Sequence, residues 1–178
     1  MKDEFIKKTL LSKKVQIVGD SGRGKTTLAT ALSKKLNIPI YSTDDFFWKV
    51  KFTEPNNQEE SVKEIKKIYE KSKWLVEGST TRLISPGLGD SDLIINLEFR
   101  NLFQQYISII SRSSGRENEN SLGLIKFLIY ITRKRYGIGY KKGILKQKKF
   151  LEMYKDKIVT IDSFSKIDRF IDDLNKEL

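Results

Sequence analysis

Gly19-Asp20-Ser21-Gly22-Arg23-Gly24-Lys25-Thr26 is the stretch on which the reading of the fold turns. It fits the pattern G-x-x-x-x-G-K-[ST], a phosphate-binding loop, and its flanks agree. Before it, Lys14-Val15-Gln16-Ile17-Val18 reads as a short buried strand. After it, Leu28, Ala31, Leu32 and Leu36 recur at helical spacing. Strand, glycine loop and helix together let successive backbone N–H groups converge on phosphate oxygens, with the positive end of the helix behind them. Gly19, Asp20, Ser21, Gly22, Arg23, Gly24, Lys25, Thr26 and Thr27 are therefore the expected nucleotide-binding residues. Lys25 is placed to reach the β- and γ-phosphates, and the Thr26 hydroxyl to ligate Mg²⁺. Thr27 is expected to cap the pocket or face the α-phosphate. Small residues are usual inside such a loop, so the Arg23 side chain is expected outside it, towards solvent or a lid.

Outward from the loop, the chain alternates. Further strands are expected at residues 38–41, 74–76, 93–97 and 157–161, and helices over 102–111, 122–135 and 165–178. A polar, turn-like interval around residues 53–58 leads into another, charged helix with Val62, Ile65, Ile68 and Tyr69 on one face. Residues 1–13 read as a charged, frayed lead-in. Five short apolar strands separated by helices specify a parallel sheet covered on both faces. The expected architecture is a single α/β domain over residues 1–178, with a short helical lid at about 112–121 built around the polar loop 113–121.

Composition removes whole classes of chemistry. The chain has 178 residues and contains no Cys and no His. That excludes disulfides, thiolate zinc sites, cysteine nucleophiles, serine–histidine triads and imidazole acid–base catalysis. The apolar stretch 122–131 is broken by Lys126 and falls short of a bilayer span. The N-terminal residues lack the apolar core of a secretion signal. A cytoplasmic protein without membrane association is expected, as a monomer or weak dimer. The formal charge is +11, and residues 100–149 hold twelve basic residues against Glu117 and Glu119, or +10 of it. Such a segment suggests a polyanionic partner, either nucleotide phosphates or a nucleic acid, or else a lysine-rich solvated face. Nucleic acid contact through residues 133–149 is the weaker expectation, because only Tyr136 and Tyr140 there offer rings for base stacking.

Among nucleotide-binding proteins, a regulatory GTPase would need Asn-Lys-x-Asp. The chain offers only Asn175-Lys176-Glu177-Leu178, without the Asp. A small kinase fits the length. Asp44 and Asp45 follow the second strand at the edge where open α/β sheets bind ligands. There one of them could orient an acceptor hydroxyl or hold Mg²⁺ water, while Asp45 could equally cap a helix turn. Phe46, Phe47 and Trp48 would stack on an acceptor base or pack into the core. Glu77 ends the third strand, where an acid could hold Mg²⁺ through water or serve as an ordinary strand-end carboxylate. Gly78 beside it would let a ligand approach closely. Arg112 and Arg116 flank Gly115 at the helix end that opens the lid, placed to clamp a transferring phosphoryl group. Of Arg133 and Arg135 on the return helix, one could point inward. A surface role is the alternative for all four arginines.

The chain from about residue 15 to 174 resembles the adenylate kinase-like P-loop kinases, and within them the group labelled DNA topology modulation proteins. The likeness rests on the phosphate loop, on Asp44-Asp45-Phe46-Phe47-Trp48, on Trp74-Leu75-Val76-Glu77-Gly78 with Arg82, and on the late arginines around a short lid. It implies a five-stranded parallel sheet in order 2-3-1-4-5, a mobile lid, and ATP- and Mg²⁺-dependent phosphoryl transfer. Through it, Arg82 corresponds to an acceptor-binding arginine. The expected partner is a small acceptor: a nucleotide, a nucleoside or a small metabolite. A nucleic-acid-associated ATP-binding protein is the alternative.

Overall fold

A computed structural model describes residues 2–50, 54–98, 102–113, 121–136, 138 and 150–177. The first strand, β1 (Lys14–Gly19), is buried from Val15 onward, as a strand flanked on both edges and covered on both faces must be. It pairs in parallel with β5 (Trp74–Gly78) on one side and β6 (Leu93–Leu97) on the other. β2 (Ile40–Ser42) adds to β5, and β7 (Ile158–Ile161) adds to β6. The sheet runs β2-β5-β1-β6-β7. Numbered among themselves, its five strands stand in the expected order 2-3-1-4-5. A separate antiparallel ribbon, β3 (Trp48–Val50) with β4 (Glu54–Pro55), lies where the sequence suggested no strand.

Side chains alternate across the sheet with the period-2 pleat. Val15, Ile17, Leu75, Leu93, Ile95 and Leu97 join one core cluster. It is closed by α2 (Lys25–Leu36), through Leu28 and Leu32, and by α8 (Phe164–Lys176), through Ile167, Phe170 and Leu174. Trp74 and Val76 face the opposite way. They pack against α4 (Gln58–Tyr69) and α5 (Thr81–Ile84) through Ile65, Tyr69 and Leu83.

Local signals fix the helix ends. The Asn57 side chain accepts from the Glu59 and Glu60 amides at the start of α4, and two acids there complement the helix dipole. Ser163 caps α8 in the same way through Lys166 N–H. α2 stops at Asn37, which takes the left-handed conformation at φ 51°.

The N-terminal segment departs from the expected frayed lead-in. Residues Lys2–Leu11 form helix α1. Ile6 is buried in the first cluster, and the Phe5 ring stacks on Phe170 at 4.5 Å. Burying an Ile side chain is worth about 1.5–3 kcal/mol, and with the stacked Phe5 it anchors a charged segment whose own periodicity is weak.

Candidate active site

The loop between β1 and α2 is shaped by contacts that its motif does not specify. Gly22 stands at φ +77°, and a Cβ there would fall 2.7 Å from Ile109 Cγ1. Ile109 belongs to α6 (Leu102–Ser113), which lies directly against the loop. From the same helix, the Gln105 side-chain amide donates to the Ser21 carbonyl at 2.7 Å. Gly24 at φ +78° is the N-cap of α2 and has no side chain to cap it, so the first-turn amides carry no side-chain acceptor. Lys25 Nζ donates to the Asp20 carbonyl at 3.1 Å, folded over its own loop. Thr26 and Thr27 are exposed.

Arg23 corrects the expectation made for it. It is 8% exposed. Its Nη1 donates to the Leu97 carbonyl at 2.8 Å, and its Nη2 pairs with Asp20 Oδ2 at 3.2 Å. A guanidinium presents its donors in a rigid fork, so one group can satisfy a strand-end carbonyl and a carboxylate together. Arg23 therefore ties the loop to the end of β6 instead of reaching for solvent or a lid.

Glu77, at 6% exposure, sits between this loop and the segment after β2. Its Oε1 accepts from Thr26 Oγ1 at 3.2 Å and from Ser42 Oγ at 3.1 Å. Ser42 also accepts from the Asp44 amide at 3.3 Å, capping α3 (Thr43–Phe47). That is the capping role the sequence left open for Asp45, which is exposed. Asp44 is half-buried on the first turn of α3. Phe46 and Phe47 pack against the Trp74 cluster, and Trp48 opens β3 with its ring edge-on to Phe47 at 4.8 Å.

Gly78 serves a different approach from the one expected. A Cβ on Gly78 would stand 1.8 Å from Thr43 Oγ1, so the missing side chain makes room for the wholly buried Thr43.

Beside α3 lies a cleft of about 130 Å³, lined by Phe47, Asn56, Gln58, Ser61, Thr80, Arg82 and Leu83. Arg82 is exposed and donates to the Gln58 side chain. Asn56 and Ser61 both donate to the Phe46 carbonyl, at 3.0 and 2.8 Å, closing one wall. The α5 turn that carries Arg82 is held from below by a buried polar network. Tyr69 Oη donates to the Leu83 carbonyl at 2.8 Å. Gln16 Nε2 donates to Tyr69 Oη at 3.2 Å and to the Ile84 carbonyl at 3.0 Å. Burial pushes the Tyr69 phenol well above its ordinary pKa, so it stays a protonated donor.

The structure thus brings Thr26, Glu77 and Ser42 together, with Lys25 folded over the phosphate loop and the Asp44 amide held by Ser42, and places Arg82 on a cleft beside α3. Arg133 is exposed on α7 (Ser121–Arg135), on an apolar groove with Tyr106 and Ile129. Arg116, residues 114–120 of the expected lid and the basic run 141–149 lie outside the described residues, as do the side chains of Arg112 and Arg135. Ser42, Asn56, Gln58, Thr80 and Gln105 were not anticipated. Ser42 alone carried a signal, a hydroxyl two residues before an acid at a helix start.

The donor set suits the groups that such a loop implies. Uncapped amides at Lys25 and beyond form a seat for an anion. Thr26, Ser42 and Glu77 offer only oxygen, the donor type that Mg²⁺ prefers. Among the described residues no three acids or other strong ligands gather in one place. Mg²⁺ in phosphoryl-transfer sites takes only one or two protein ligands, with substrate phosphates and water supplying the rest.

Solved structures share this architecture. Shikimate kinase from Bacteroides thetaiotaomicron superposes over 93% of this chain and 97% of its own, with TM-score 0.54 and 13% identity. Shikimate kinase from Acinetobacter baumannii, in complex with shikimate, covers 97% and 99% at TM-score 0.51 and 14% identity. A gluconokinase from Sinorhizobium meliloti 1021 covers 92% and 91% at TM-score 0.50 and 12% identity. The chain has the fold of these kinases. No family model matches it. The uncharacterized protein YqaC of Bacillus subtilis (strain 168) is 33% identical over 97 residues. The chain spans about half the length of that curated relative, 49% of each. Among the described residues, no helix is long and apolar enough to cross a membrane.

Proposed function

We propose that this protein is a small cytoplasmic kinase that moves a phosphoryl group from Mg²⁺-bound ATP to a small acceptor. The observation that carries the reading is the convergence of Thr26 and Ser42 hydroxyls on one buried oxygen of Glu77, between the phosphate loop and the Arg82 cleft. A metal-organising carboxylate at that position serves phosphoryl transfer, and a plain nucleotide-binding protein has no use for an acceptor cleft beside it. The kinase folds of the structural neighbours lend the same reading support.

When bound, Mg²⁺-ATP supplies the phosphoryl group and much of the charge neutralisation. The loop residues 19–27 would hold its phosphates, Lys25 offsetting their charge, while Thr26 and Glu77 hold the metal. Arg82 would orient an anionic or polyhydroxy acceptor against Gln58, with Asp45 and Trp48 at the margins of that subsite. Asp44 would take the proton from an acceptor hydroxyl as its oxygen bonds to phosphorus. Arg112 and Arg116, with one of Arg133 and Arg135, would stabilise charge as transfer proceeds. The narrower kinship with adenylate kinase-related proteins, carried by the segments 44–48 and 74–78, belongs to the same proposal.

A screen of acceptors tests it. The protein is incubated with Mg²⁺-ATP and, in turn, AMP, adenosine, shikimate and gluconate, and ADP release is followed. Acceptor-dependent ADP formation with one class, abolished by Lys25→Ala, is the expected result. Absence of ADP with every acceptor, together with equal ATP binding by wild type and Lys25→Ala, would sink the assignment.

A further inference from the structure

The phosphate loop is gripped from outside by a residue that no motif contains. Gln105 is 0% exposed, lies 84 positions from Ser21 in the chain, and donates to the Ser21 carbonyl at 2.7 Å. We propose that Gln105 is a positioning residue of the nucleotide site, holding the Ser21–Gly22 peptide in the orientation that binds phosphate. The inference rests on the kinase reading above.

The argument is one of peptide geometry. The Ser21 carbonyl and the Gly22 N–H belong to one planar trans unit and point in opposite directions. With the carbonyl fixed towards α6, the Gly22 N–H is aimed the other way, away from that helix and into the loop. Gly22 stands at φ +77°, and glycine tolerates either sign of φ. Without a tether this peptide is therefore free to rotate as a unit. Rotation would turn an oxygen towards the phosphates in place of an N–H. A carbonyl there repels an anion, whereas an N–H binds it.

Gln105 also carries a mark of a residue not selected for stability alone. Among the described residues its Oε1 has no hydrogen-bond partner, although it is buried. Exchanging the two ends of the amide would set oxygen against oxygen at Ser21, so the donor must face the loop. A buried acceptor without a donor costs stability, and that cost is tolerated where another role needs the group. Ile109, one turn further on, fills the space against Gly22 and keeps α6 seated. Water has little access to replace the amide.

The test compares wild type with Gln105→Met, which keeps length and loses the donor, and Gln105→Glu, which sets a carboxylate against the carbonyl. Backbone amide exchange over residues 20–25 is measured without nucleotide, alongside Mg²⁺-ATP affinity and Tm. Losing one net hydrogen bond should speed exchange in that loop and raise the Kd for Mg²⁺-ATP by about tenfold each in Gln105→Met. Gln105→Glu should be weaker still. Tm of Gln105→Met should stay within about 2 °C, because the orphaned oxygen leaves with the amide. Exchange in β1 and β6 should be unchanged. Unaltered loop exchange and affinity would overturn the inference. So would a fall in Tm with faster exchange throughout α6 and the sheet, which marks a structural role only. If wild type fails to bind Mg²⁺-ATP at millimolar concentration, the kinase reading falls, while loop exchange still decides what Gln105 holds.

Discussion

Glu77 shows how one side chain can serve two neighbourhoods. Its Oε1 accepts from Thr26 on the phosphate loop and from Ser42 beyond β2, so its carboxylate is organised before any ligand arrives. Glu77→Gln is nearly the same size and its amide oxygen can still accept from both hydroxyls, but it carries no charge. We expect the Mg²⁺ concentration needed for half-maximal turnover to rise and kcat to fall by roughly 10²-fold, on the scale of removing one polar group that supports developing charge. Affinity for ATP measured without metal should change little. Ordinary metal dependence with a lowered Tm in the Glu77→Gln variant would mean that Glu77 is a strand-end residue only. The charge, position and strand-end setting of Glu77 were legible from its neighbours in sequence. Arg23 was not: the motif gave reason only to expect its side chain outside the loop, towards solvent or a lid. What it meets instead is the Leu97 carbonyl, 74 residues away, which the loop reaches only once β1 and β6 are paired.

At the scale of elements, legibility followed locality. β1, β5 and β6 were readable because strands buried on both faces are mostly apolar, interrupted within them only by Gln16, Glu77 and Asn96, and α4 and α8 because their apolar positions recur within one or two turns. α1 was missed because its hold on the fold comes from Phe170 and the first core cluster, at the far end of the chain. The β3–β4 ribbon was missed because two short strands carry almost no periodic signal. The short α5 turn raises a further prediction. It is too short to be stable alone, and it depends on Tyr69 and Gln16 beneath it. Tyr69→Phe removes the donor to the Leu83 carbonyl and an acceptor for Gln16. An unpaired buried carbonyl costs about 1–3 kcal/mol, which denaturant unfolding will read directly. Because Leu83 and Ile84 follow Arg82, the same variant should raise KM for the acceptor found by the screen more than KM for ATP. Equal effects on both would detach the network from the cleft.

At the scale of the whole molecule, the parallel sheet brings the phosphate loop, Glu77 and the Arg82 cleft together along one edge, from segments that begin at residues 19, 42 and 74. Each contributes a fragment that is inert alone, so binding energy at that edge is available to the entire fold. A ligand that occupies the folded state and not the unfolded one stabilises it by about 2.7 kcal/mol at a hundred times its Kd. For a chain of 178 residues this should raise Tm by roughly 5–11 °C. The metal sharpens the expectation. If Thr26 and Glu77 hold Mg²⁺ against the phosphates, chelation with EDTA should remove most of the shift while ATP is still present. Lys25→Ala should show little shift under either condition. The polyanion alternative predicts a different pattern: inorganic tripolyphosphate without Mg²⁺ would stabilise wild type and Lys25→Ala alike, in a manner abolished by raising salt, since attraction to a net charge of +11 is screened within about 8 Å at physiological ionic strength. A thermal scan across these conditions therefore separates a built nucleotide site from a merely basic surface.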